Sequence, residues 1–498
     1  MTTHRWTCGG ACAVLGVLLA SLAGCSALAR PSSAATEWTY VVAFRSGGEE
    51  LQVELRVPGG EAFELSIPEA SRPFLDEVRC TIDGNRFNLT SEEDGWSVPA
   101  SAHVRSVQWT FRARDAARTI DALGLAAWRG GAFVGSPSAF LLVSPHPASN
   151  GGVNGPRMSL AVRESNGIGF ACALDHQDDL WTGDLSVLQE LPTCAFGALS
   201  VVRRTVDVPS GPPVELTVAR ARATNRMDEA HGTADADREA LRDHRLVNAL
   251  VADADGLARY IGRFPVDRLL VVALPRDGRG VGDGVTRGYG GASIVVSVDP
   301  DTSPEEFRDD WVLTHEMIHL ALPSLPEEQH WLEEGSATYL EPLVRASAGT
   351  LDENAVWTSM LQEYDQGLPK VGDHGLNHDR DWGRTYYGGA IFCLLADVEI
   401  RVRTGGRRTL ADAIGAVVRG GGNVTVESSI DRVIEVGDSG TGTHVLRELY
   451  ERTKDAAEPR SLDETWRALG VTWDGERVVF DDRAPLAAVR RAMTAKRP

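Results

Sequence analysis

The chain has no surplus of positive charge: 50 lysines and arginines face 70 aspartates and glutamates, a net charge of −20 over 498 residues. No basic stripe remains to follow a phosphate backbone, which argues against nucleic acid as a partner. Cysteine is scarce as well, and none of Cys80, Cys172, Cys194 and Cys393 falls at zinc-site spacing, so a cysteine-based metal centre carries little weight. No internal repeat and no low-complexity tract is visible, which removes solenoid and fibrous architectures. The N-terminal apolar run over residues 11–22 is too short to span a bilayer. The glycine-rich stretch at residues 278–291 leads into a strand pattern without Gly-Lys-Ser/Thr, so it does not read as a phosphate cradle.

A chain of 498 residues exceeds one ordinary core, and two or three domains are expected. Residues 1–25 read as an export signal, with Arg5 ahead of the apolar run and Leu22-Ala23-Gly24-Cys25 at its end. That ending resembles the bacterial lipobox. The resemblance implies cleavage before Cys25, lipid on that cysteine, and an address on the bacterial cell envelope outside the cytoplasm. Residues 26–37 then form a tether. Cys80, Cys172, Cys194 and Cys393 remain in an oxidising compartment. Cys172 and Cys194 lie in one segment and could pair, although four cysteines allow three connectivities; Cys393, in an apolar helical run, reads as a buried free thiol.

Residues 38–212 alternate with period two, as at 39–44, 51–57 and 107–112, with Pro, Gly and Asp between the runs, which is a β-sandwich pattern. Beyond residue 225 the period changes. Residues 234–262 read as a helix, 269–274 as a buried strand and 292–298 as a second strand, placed at the edge of a small sheet. An edge strand can pair with extended peptide, so Gly290, Gly291 and Ala292 are candidate substrate-binding positions. Residues 385–401, 410–418, 445–453 and 484–493 read as further helices.

The chemistry gathers in residues 314–341, THEMIHLALPSLPEEQHWLEEGSATYLE. His315 and His319 are four apart, so a helix projects both imidazoles from one face, one turn apart, where they can share a Zn²⁺ ion. A third protein ligand is needed, with the fourth position left for water. Glu334 can supply it from a second helix, with Glu333 as the rival, after Pro323 and Pro326 end the first helix. Glu316 sits beside the ligands, where a carboxylate can take a proton from water. Glu341, seven residues beyond Glu334, shares its helical face and is a candidate partner for orienting a ligand.

HEMIH, then WLEEGSATYLE, then TYYGGAIFCLLADVEIR together resemble the gluzincin metallopeptidases, and within them the glycyl aminopeptidase family without its PDZ domain. The resemblance implies one zinc ion held by His315, His319 and Glu334, with Glu316 as general base. It implies Tyr386 as the donor to the oxyanion, with Tyr387 as the near alternative. It implies an α+β multidomain fold: the β-rich domain at 38–212, a thermolysin-like catalytic domain at 213–365 and a helical domain at 366–498. Relatives bind a free amine with a glutamate in the glycine motif, and Gly290-Gly291-Ala292-Ser293 has none, so aminopeptidase specificity does not follow. A metzincin would need Gly at 322 and His at 325, and both are Leu. An aspzincin would need Tyr-Gly after Gly349-Thr350-Leu351-Asp352; that pair is missing, and Asp352 reads as a helix cap. The functional expectation is a zinc-dependent peptidase acting on peptide or protein substrates at the membrane to which its lipid tethers it. The competing expectation is a silent gluzincin-fold lipoprotein that binds peptides or assists envelope assembly, against which the intact Glu316 weighs.

Overall fold

The structure is a computed structural model and describes residues 37–91, 95–145, 156–163, 167–177, 179–222, 233–456 and 462–497. The expected signal segment and Cys25 lie outside these residues, as does the tether except for Glu37. Among the described residues no helix is long and apolar enough to cross a membrane.

The period-two segments form two packed sheets, as the sandwich pattern predicts. An eight-stranded sheet has Glu37–Arg45, Glu50–Val57 and Arg105–Phe111 at its centre, and a four-stranded sheet holds Ala126–Arg129, Ala132–Gly135, Gly169–Cys172 and Cys194–Gly197. Tyr40, Val42, Leu51 and Leu55 from the first sheet meet Phe133 and Phe196 from the second in one core. Ala132–Gly135 is buried along its whole length. The reason is that the small sheet has a second neighbour: Ala132, Val134, Ala171 and Ala195 pack on Ala219, Leu270, Val272 and Val295 of the sheet that follows. Cys172 and Cys194 stand opposite each other in adjacent antiparallel strands, and they, Cys80 and Cys393 are all buried free thiols.

Numbering the second unit from its own first element, its sheet comprises β1 (Leu199–Val206), β2 (Val214–Ala221), β3 (Arg268–Pro275), β4 (Val281–Arg287) and β5 (Ser293–Val298), in the order β1-β2-β3-β5-β4. Helix α1 (Thr233–Ile261) joins β2 to β3. Two sequence expectations need correction here. The boundary at residue 212 cuts between β1 and β2, which pair along their full length, so the first unit ends near residue 198. The strand at 293–298 is interior, and the edge is β4, built from the stretch read as a glycine-rich loop. Gly282 and Gly284 interrupt the apolar alternation there and hide the strand.

Helix α2 (Val312–His319) and helix α3 (His330–Ala348) follow, and α3 ends at Gly349 with φ of 81°, a left-handed cap that glycine adopts without strain. Asp352 caps the next helix by accepting from the Ala355 N–H at 2.9 Å, as its sequence position suggests. A π-helical turn at Arg384–Gly388 leads into α4 (Gly389–Thr404), and further helices include Leu410–Arg419, Ile430–Thr441 and Val445–Thr453. A short hairpin, Val471–Trp473 with Val478–Phe480, sits among them. One apolar core runs from Val206 to Met493, so residue 365 does not separate two cores.

Candidate metal centre

Three close approaches set the site. Helix α3 packs against both α2 and α4. A methyl group on Gly335 would strike the Gly389 backbone, and one on Gly389 would strike the Trp331 carbonyl, so both glycines are needed for α3 and α4 to lie this close. On the other side, a Cβ on Gly284 of β4 would lie 2.6 Å from Cγ of Glu316. The edge strand thus comes directly against the carboxylate on α2.

His315, His319 and Glu334 converge as the helical spacing predicts. The two Nε2 atoms are 3.2 Å apart, and Oε2 of Glu334 is 3.5 Å from each. A tetrahedral ion with bonds of about 2.1 Å holds its ligand atoms about 3.4 Å apart, so this triangle has the dimensions of one face of a zinc site. Oε2 of Glu334 is buried and has no hydrogen-bond partner among the described residues, which suits an atom reserved for a cation. Two imidazoles and one carboxylate, with one face open to the cavity, also match the donor chemistry zinc prefers.

Burial alone would raise the Glu334 carboxyl, but His315, His319 and His330 together hold it far below the usual range. His330 is a partner that sequence reading missed. Its Nε2 is 3.3 Å from Oε1 of Glu334, and its Nδ1 is 2.7 Å from Oε2 of Glu333. Its hydrogen bonds to Glu333 and Glu334 push this imidazole up to about 10, which favours the charged form against the second oxygen of the Glu334 carboxylate. The signal was the i, i+4 spacing of His330 and Glu334. Glu333 also accepts from the Leu325 N–H at 3.1 Å, which fixes it away from the two histidines and leaves Glu334 as the converging carboxylate.

The second missed residue is Thr286 on β4. Its hydroxyl lies 2.7 Å from Oε2 of Glu316 and 2.8 Å from the Glu316 carbonyl oxygen. Tyr386 lines the same cavity as the histidines and Glu316, whereas Tyr387 donates to Oε2 of Glu363 at 3.0 Å. Burial first, and then the facing Glu334, push the Tyr386 phenol up to about 12, so it stays a neutral donor. Trp382 stacks on its ring at 5.4 Å.

Four candidate residues are not brought to the site. Glu341 accepts from Arg345 at 2.8 Å and, among the described residues, makes no bond to a histidine or to Glu334. Seven residues are two helical turns, about 10 Å further along the axis, so a shared face does not bring it to the ligands. Gly290 and Gly291 lie in the turn between β4 and β5, packed on Pro192 and Ala173, and Ala292 is buried beyond them. The cavity of about 640 Å³ above the histidines is walled instead by Gly284, Val285, Thr286 and Arg287.

No protein-family model matches the chain, and no curated protein matches it. Among solved structures it is similar to an aminopeptidase N family protein from Idiomarina loihiensis, with a TM-score of 0.61 at 12% identity over 87% of this chain and 78% of that one. The two chains share one fold. An M1 zinc metallopeptidase from Deinococcus radiodurans aligns over 86% of this chain and 94% of its own, at 13% identity and a TM-score of 0.46.

Proposed function

We propose that the chain is a zinc-dependent peptidase, and the observation that carries this reading is the triangle of His315, His319 and Glu334 with Glu316 beside it and Tyr386 in the same cavity. Those three residues would hold one Zn²⁺, which when bound acts as a Lewis acid and lowers the pKa of water. Substrate backbone pairs with the free edge of β4 and is thereby laid across the histidines. Glu316 takes the proton from the attacking water and passes it to the leaving amine. Thr286 fixes the carboxylate for both tasks. The Tyr386 phenol donates to the oxygen that gains charge as the carbonyl is attacked. His330 keeps Glu334 ionised and oriented. A free edge strand serves internal and terminal peptide bonds alike, so the reading stays with peptidase and names neither class.

The lipobox-like Leu22-Ala23-Gly24-Cys25 supports tethering of this activity to a bacterial envelope through lipid on Cys25. Labelled palmitate should enter the wild-type chain and not Cys25→Ala, which should be released from membranes; equal labelling of both would refute the anchor. For the activity, purified protein should contain one zinc per chain and cut members of a diverse peptide library. Protein purified without chelator and free of zinc would refute it.

A further inference from the structure

We propose that Arg287 selects substrates that place a carboxylate beside the scissile bond. The proposal rests on the peptidase reading above and adds its substrate class.

Arg287 ends the edge strand, next to Thr286, and lines the cavity that holds His315, Glu316 and His319. Side chains alternate along β4. Gly284 and Thr286 face Glu316, while Val285 packs the other way, against the apolar layer shared with the first unit. Arg287, two residues beyond Val285, shares that side of the strand, so its side chain reaches the cavity from the first-unit wall and not from the Glu316 wall. A Cβ placed on Gly124, in the loop before Ala126–Arg129, would lie 3.9 Å from a terminal nitrogen of its guanidinium. The group therefore sits where the edge strand meets a loop of the first unit, at the cavity wall.

Other charged groups of this wall have partners: Glu327 pairs with Arg380 at 2.7 Å, Glu333 with His330 at 2.7 Å, and Glu316 is held by Thr286. Arg287 makes no ion pair and no side-chain hydrogen bond among the described residues. Burial depresses its pKa, and no carboxylate among the described residues counters that effect. A guanidinium stripped of part of its water without an anion is an unfavourable arrangement in the unliganded protein. A carboxylate supplied by the ligand removes the penalty, since its two oxygens match the planar fork of arginine. On a peptide the carboxylate comes either from an Asp or Glu side chain or from the chain terminus.

The test uses the zinc-loaded protein and four peptides: a matched pair with Glu or Gln beside the cleaved bond, and a pair ending in a free carboxylate or a carboxamide. Charge-assisted pairing predicts that wild-type kcat/KM favours the carboxylate member of one pair by roughly 10- to 100-fold. The pair that shows the preference identifies the source. The ratio should fall to near one in Arg287→Gln and below one in Arg287→Glu, while Arg287→Lys keeps part of it. Ratios within one protein cancel differences in folding or zinc loading. A wild-type ratio near one, or a ratio that survives Arg287→Gln, overturns the proposal. Hydrolysis of none of the four peptides would instead overturn the peptidase reading. Fluorescence anisotropy with the same peptides then decides: carboxylate-selective binding that depends on Arg287 upholds the proposal, and unselective binding or none overturns it.

Discussion

The hydroxyl of Thr286 lies within hydrogen-bond distance of both Oε2 and the backbone carbonyl oxygen of Glu316. One hydroxyl has one proton. It can donate to the carboxylate before proton transfer, and afterwards accept from the protonated carboxyl while donating to the carbonyl. Thr286 is thus suited to hold Glu316 in one place through both protonation states. Thr286→Val should lower kcat by about 10- to 100-fold, the usual cost of losing a hydrogen bond to a charged group. Zinc content and KM should change little, and Thr286→Ser should restore most of the rate. Loss of zinc in Thr286→Val would show a structural role instead.

His330 contacts the second oxygen of Glu334. His330→Ala should weaken zinc affinity by about 10- to 100-fold, as removal of a ligand's outer partner does elsewhere. Competition with a chromogenic chelator measures this directly. Unchanged affinity would mean that the 3.3 Å contact contributes nothing.

Gly335→Ala introduces a methyl group where α3 and α4 touch backbone to backbone. Overpacking of this kind costs about 1–3 kcal/mol, read as a lower urea midpoint with unchanged slope. Helix α3 carries Glu334 and the π-helical turn that leads into α4 carries Tyr386, so zinc affinity and rate should both fall. A neutral effect would refute the close approach.

Asp253 on α1, Asp310 ahead of α2 and Glu341 on α3 face one another around Arg345, with the Thr314 hydroxyl donating to Asp253 at 3.0 Å. Burial first, then neighbouring carboxylates, raise Asp253 and Glu341 to about 7. Unfolded carboxyls titrate near 4, so between pH ~4 and ~7 the folded state holds protons that the unfolded state has lost. Their contribution to stability is complete below pH ~4 and declines as pH rises towards 7, by up to ~1.4 kcal/mol per pH unit for each group. Urea midpoints should therefore drop from pH 5 to pH 8, and Asp253→Asn should flatten the slope. A slope identical to wild type would contradict this.

The histidine pair was legible because a helix converts spacing into direction: four residues put His315 and His319 on one face, and the structure keeps them there. Glu341 failed by the same rule, since a face is shared along a whole helix while a metal occupies one turn of it. The edge strand was hidden because Gly282 and Gly284, which break its alternation, are also what lets β4 approach Glu316. Local pattern and tertiary need conflict there, and the tertiary need prevailed. Thr286 reaches Glu316 across 30 residues of chain, and no local periodicity encodes such a contact. The two-sheet fold of the first unit followed from alternation, but its boundary did not, because β1 alternates like its predecessors and yet pairs with β2.

The most direct test of the central claim is peptide hydrolysis by Glu316→Gln protein that still holds zinc. The account predicts one zinc per chain and a rate at least ~10²-fold below wild type, because general acid–base catalysis by a positioned carboxylate typically contributes about 10²- to 10⁴-fold. A zinc-loaded Glu316→Gln protein that cuts peptides at the wild-type rate would contradict it.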